Sequence, residues 1–192
     1  MSEWVRLGPV IRTQIHAAEV VHDSTYDADL ICPVEALWLS KAGAVGVTGS
    51  GAVLDYHHED HPGLRKFRPG RQLSIGFTGH YDAMQDKFGW APLGIAAENI
   101  LVDYPGRVTQ AELAGGLMID TASGRHRLQA AAVARPCLPF TKYLLRNPEA
   151  DDDTIADHRS FLQEGTRGFV LSLVDLSHRF RLEPGDIVFR HV

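Results

Sequence analysis

The sequence predicts a mainly β protein, a closed or partly closed barrel of mixed strands with a few flanking helices. Three observations predict it. Short apolar or alternating runs recur along the chain, Gly and Pro fall between them, and only two or three stretches carry a helical period. The 192 residues can bury one sizeable core and read as a single domain over 1–192, with no repeat or linker dividing them.

Residues 10–15 alternate, and residues 30–34 are a short apolar run; both read as strands. Residues 35–41 are either a strand end or one helical turn. Gly43, Gly46, Gly49 and Gly51 then suit tight turns between short strands better than a helix interior. The polar stretch 55–70, DYHHEDHPGLRKFRPG, reads as a surface loop. Residues 71–77 alternate as a half-buried strand. Residues 79–89 predict a short helix with Tyr81, Met84 and Phe88 at helical spacing.

Residues 108–113 resemble a helix start, with Thr109 as cap and Glu112 completing a capping box. Strands follow at 117–120 and 126–134. Residues 152–164 predict a helix with Ile155, His158, Phe161 and Leu162 on one face, and Asp151 to Asp153 suit its N-terminal dipole. Strands at 169–174 and 187–190 close the chain, joined through the turn residues 183–186.

Composition narrows the function classes. Hydrophobic residues make up 44% of the chain and charged residues 22%, the balance of a globular protein. A net charge of −5 supplies no broad basic field for nucleic acid or an anionic membrane. No run approaches a bilayer span and the N-terminal stretch does not read as a signal peptide, so a cytoplasmic protein with no membrane or nucleic-acid partner is expected. In that reducing compartment Cys32 and Cys137 are expected as free thiols.

Chemistry centres on Cys137. A thiolate attacks sulfur or binds soft metals, and Arg135 two residues away would share its face in an extended segment. The alternative is a small buried hydrophobe. His57, His58 and His61 with Asp55, Glu59 and Asp60 could bind zinc or iron, but Pro62 and Gly63 oppose a sustained helix, and a solvated loop is the reading preferred. His80 reads as a capping or core contact, and His158 as structural. Arg65, Lys66, Arg68 and Arg71 could hold a phosphate or simply be solvated. Arg167, between Gly165 and Gly168, is either a ligand contact or half of an ion pair.

Several pieces stand in order: Gly70-Arg71-Gln72-Leu73-Ser74-Ile75, then Glu98-Asn99-Ile100, then Ala134-Arg135-Pro136-Cys137, then Glu164 to Val170, then Leu182 to Val188. This ordered set resembles the MOSC domain family, named for the carboxy-terminal part of molybdenum-cofactor sulfurases, in a stand-alone, bacterial-type member. The resemblance is clearest over 32–192. It implies a mixed-strand barrel and a cysteine, here Cys137, that carries sulfur or ligates the molybdenum of a pterin cofactor. It further implies cofactor contacts at Arg71, Glu98, Asn99, Arg135 and Arg167. Asn99 could equally satisfy backbone groups in a turn.

Family members often carry Gly-Asp followed closely by His, where this chain reads Gly46 to Gly51 without an aspartate; Asp55 with His57 or His58 is either a displaced equivalent or none. The expected partners are an anionic cofactor or small molecule and a protein that donates sulfur or electrons. A non-catalytic persulfide carrier, or a binding module that lost the activity, is the alternative to a molybdenum-dependent redox or sulfur-transfer component.

Overall fold

A computed structural model describes residues 3–192, apart from the side chains of residues 130 and 131. The strands in chain order are β1 (Trp4–His16), β2 (Val21–His22), β3 (Thr25–Tyr26), β4 (Ile31–Val34), β5 (Ala36–Ser40), β6 (Gly43–Thr48) and β7 (Gly51–Leu54). They continue as β8 (Leu73–Phe77), β9 (Ile100–Val102), β10 (Leu117–Thr121), β11 (Gly124–Val133), β12 (Phe169–Ser172), β13 (Phe180–Leu182) and β14 (Ile187–His191). Three α-helices accompany them among the described residues, α1 (Thr78–Phe88), α2 (Leu138–Leu145) and α3 (Asp152–Phe161), with short helical turns at Ala28–Leu30 and Leu162–Thr166.

The main sheet runs β14-β10-β11-β12-β8-β9-β1, and β14 pairs back onto β1, so the hydrogen-bonded strands form a ring. β1 makes the closure possible because it is long and broken in register between Arg6 and Gly8 and between Val10 and Arg12. Its first half pairs β14, while its second half pairs β9 on one side and β4 on the other. Such bulges bend and twist a strand, which lets one strand serve two directions of a sheet. β8 and β9 pair in parallel and the other ring pairings are antiparallel, which is the mixed sheet expected. β13-β5-β6-β7 form a second sheet.

Alternation along the strands fills the ring. Leu7, Val10, Ile15, Ile75, Phe77, Ile100, Leu117, Leu128, Phe169 and Val188 meet there as one apolar cluster. A second cluster, including Tyr26, Tyr81, Met84, Leu101, Phe140, Leu144 and Leu162, lies between the ring and the helices. Leu101 faces this second cluster while its neighbours Ile100 and Val102 face the first, the two-residue period of a strand buried on both sides.

Of the two readings of residues 35–41 the strand holds, since residues 36–40 sit between β13 and β6. Other elements differ from the sequence reading. At 108–113 the capping-box bonds form, Thr109 N to Glu112 Oε2 at 2.9 Å and Glu112 N to Thr109 Oγ1 at 3.3 Å. No helix follows. The chain turns at Gly115 and Gly116, the latter at φ +91°, and enters β10. α2 was not expected, since Pro139 reads as punctuation; it occupies the first turn, where proline is tolerated.

Candidate functional site: a basic cleft over a buried polar floor

A cleft of about 640 Å³ opens beside the ring. Its walls come from the end of β1, the 56–71 loop, the start of β8, the 96–98 turn, the exit of β11 and the segment before β12. The wall is strongly basic: Arg65, Lys66, Arg68, Arg71, Arg135 and Arg167 line it against the carboxyls of Glu19 and Glu98. This local field exists inside a chain of net negative charge, so the overall sign hides it.

The structure brings Arg71, Glu98, Arg135 and Arg167 to this one cavity. Arg71 stands two residues before β8 and Arg135 two residues after β11, so two strand ends present guanidinium groups to a common space. Arg167 donates through a terminal nitrogen to the Arg135 carbonyl at 2.6 Å, and its guanidinium lies 4.8 Å from the Phe140 ring centroid. Arg167 therefore ties the cleft wall to the segment that begins α2, and it forms no ion pair among the described residues.

Asn99 lies beneath the wall, buried. Its Oδ1 accepts from the Ser74 N–H and hydroxyl, both at 3.0 Å, and its Nδ2 donates to Gln14 O and Asp55 Oδ2. Every polar group of that amide is used by protein, so Asn99 orders the floor. Cys137 stands immediately before α2, half-buried, where its side chain packs against the second apolar cluster. It does not line the cleft. Cys32 and Cys137 are both free thiols.

Glu98 is fully buried. Tyr81 donates its hydroxyl to Glu98 Oε2 at 2.6 Å, while Oε1 has no hydrogen-bond partner among the described residues. Burial pushes its carboxyl up to about 7, against the Tyr81 hydrogen bond and the positive charges of Arg167 and Arg12. Room for this side chain comes from Gly76 and Gly168, since a Cβ at either position would run into it.

Asp55 is the other buried acid. Oδ2 accepts from the His16 N–H and from Asn99, both at 2.9 Å; Oδ1 accepts from the His57 N–H at 2.8 Å and faces His57 Nδ1 at 3.2 Å. Burial alone would raise its carboxyl, but the imidazoles of His16 and His57 and the N–H donors outweigh it and hold it below the usual carboxylate range. Asp55 thereby anchors the start of the 55–70 stretch, where successive turns link His58 N to Asp55 O, His61 N to His58 O and Leu64 N to His61 O. His58 and His61 cap those turns, their Nδ1 atoms accepting from Asp60 N and Gly63 N. His80 is the buried contact expected, with Nε2 accepting from Val108 N at 3.0 Å.

Sequence reasoning missed His16, Ser74 and Tyr81 as parts of the site. His16 carried a signal: it directly follows a predicted strand, where a polar residue marks the end of the buried run. Nothing local marks Tyr81, which spacing assigns to a helix core face.

No family model matches the chain, and no curated protein matches it in sequence. Solved structures do. The YuaD protein of Bacillus subtilis superposes with a TM-score of 0.61 at 16% identity, covering 100% of this chain and 98% of its own. A crystal structure described as a hypothetical protein gives 0.56 at 15% identity, covering 97% and 68%. YiiM from Geobacillus stearothermophilus, a MOSC-domain protein, gives 0.50 at 12% identity, covering 97% and 75%. The fold fits a MOSC-like family. The ordered sequence pieces at 70–75, 98–100 and 134–137 converge around one cavity, with Cys137 set back from its wall.

Proposed function

We propose that this MOSC-like domain binds an anionic ligand in the basic cleft, and that the ligand is the phosphate-bearing molybdenum-pterin cofactor implied by the sequence resemblance. The observation that supports it is the meeting of Arg71, Arg135 and Arg167 at one cavity. Guanidinium forks compensate a phosphate for its lost hydration better than any neutral donor, and two strand ends hold them with little freedom to lose. Glu98, buried at the wall with one bare oxygen, suits a hydrogen bond to the edge of a heterocycle. Such a cofactor, when bound, supplies redox chemistry at its metal.

The fit extends to the anion. The side chain of Cys137 packs against the second apolar cluster and does not line the cleft, so it is not counted among the anion's contacts. Cys137 remains the residue proposed to carry sulfur, in exchange with a donor protein.

Titration with inorganic phosphate tests the anion site. Arg71→Ala and Arg135→Ala should each weaken binding by about 1.5–3 kcal/mol, the scale of a charge-assisted hydrogen bond. Equal affinity in wild type and both variants would remove the reading. Molybdenum content of protein purified from a molybdenum-replete host then separates the cofactor from a smaller anion.

A further inference from the structure

The floor of the cleft holds a second group of ligand atoms that the anion reading does not use. His16, Asp55 and His57 each offer one ligand atom, and these atoms all lie within 4.8 Å of one another. The decisive feature is the tautomer of His16. Its Nε2 lies 2.7 Å from the Ala97 carbonyl, an acceptor only, so Nε2 carries the proton. Nδ1 is then a bare lone pair. It is buried, has no hydrogen-bond partner among the described residues, and faces Asp55 Oδ2 at 3.8 Å. A histidine whose far nitrogen is tied to a carbonyl while its near nitrogen points at a carboxylate has the outer-shell arrangement of a metal ligand.

We propose that His16 Nδ1, an Asp55 carboxylate oxygen and His57 Nδ1 form a binding site for a divalent cation of the zinc type. Two imidazoles and a carboxylate are the donor set that Zn²⁺ accepts. For His57 Nδ1, 3.2 Å from Asp55 Oδ1, to bind the cation, the ring proton sits on Nε2, which leaves the Nδ1 lone pair free. The N–H groups of His16 and His57 and the Asn99 amide hold the carboxylate in place from behind. His16 and His57 also line the cleft, so a cation held there would lie beside the cavity, from which water or substrate could complete its coordination.

The test is titration of the dialysed full chain with Zn²⁺ alone, by calorimetry and by metal analysis after gel filtration. One equivalent per chain is expected. His57→Ala should weaken binding at least tenfold; its side chain is 44% exposed, so the variant should fold. His61→Ala, in the same loop but outside the cluster, should bind as wild type does. Retained affinity in His57→Ala, an equal loss in His61→Ala, or no stoichiometric binding to wild type would each overturn the site. Phosphate binding by the zinc-free chain is measured separately, so loss of either site leaves the other readable.

Discussion

Replacing Glu98 with glutamine isolates the cost of burying a carboxyl beneath a basic cleft. In the unfolded chain this acid titrates near its ordinary 4.5; in the folded chain burial raises it to about 7. The native state therefore holds the proton more tightly. Its contribution to stability is complete below pH 4.5 and is lost as pH rises through 7. Moving a carboxyl from 4.5 to about 7 corresponds to about 3 kcal/mol by the time the group is ionised in both states.

Glutamine keeps the shape and an oxygen for the Tyr81 hydroxyl, and it does not titrate. Glu98→Gln should thus gain on wild type as pH rises, reaching about 2–3 kcal/mol at pH 8.5 and little or nothing at pH 4.5. Urea unfolding of both proteins across this range, followed by circular dichroism, measures the difference as a midpoint shift of about 1 M. Other titrating groups cancel because only the difference between the two proteins is used. A difference that stays constant from pH 4.5 to 8.5 would refute the reasoning.

On the acid side His80 acts in the opposite sense. Its folded-state value, lowered by burial from 6.5 to about 4, means that stability is complete above pH 6.5 and drains as pH falls through 4; thermal melts of Glu98→Gln, which lacks the opposing carboxyl titration, should show the fall. Cys137→Ser should leave inorganic phosphate affinity within about twofold of wild type, since the thiol does not line the cleft, and a larger loss would place Cys137 at the anion after all. Gly168→Ala should destabilise by about 2 kcal/mol or more in chemical denaturation, because φ is +102° and its Cβ would stand 2.6 Å from the Ile75 carbonyl.

The mixed ring was legible because its strands alternate: residues 73–77 and 169–172 read the same way in sequence and in structure. Legibility failed where one local signal served two outcomes. Thr109 and Glu112 form their capping box without a helix, since two glycines follow. Pro139 ends an extended run and also opens α2. The site showed the same limit. Arg71 and Arg135 could be paired from their positions at two predicted strand ends. Asp55 and His57 could be named from the polar loop, but their partner His16 sits on β1, thirty-nine residues before Asp55, and only the closure of the ring brings it there. Cys137 was read as continuing the face of Arg135; the chain instead turns into a helix at that point, which sends the two side chains to different surroundings.

Glu98 and the arginines also bind the cleft into one electrostatic unit, and that unit has a measurable consequence. An anion held by Arg71 and Arg135 adds negative charge at the wall that Glu98 lines. Like charge disfavours the carboxylate, so a bound anion should push Glu98 further above 7. By linkage, the protonated protein must then bind the anion more tightly than the ionised one. Sulfate is the suitable probe, because it does not titrate near neutrality. Calorimetry at pH 7 in buffers of different ionisation enthalpy should report uptake of a fraction of a proton per sulfate bound in wild type, and less in Glu98→Gln. Sulfate affinity should fall between pH 6 and 8.5 more steeply in wild type than in the variant. Identical proton uptake in the two proteins would mean that Glu98 does not feel the anion, and the shared cavity would be a matter of position without coupling.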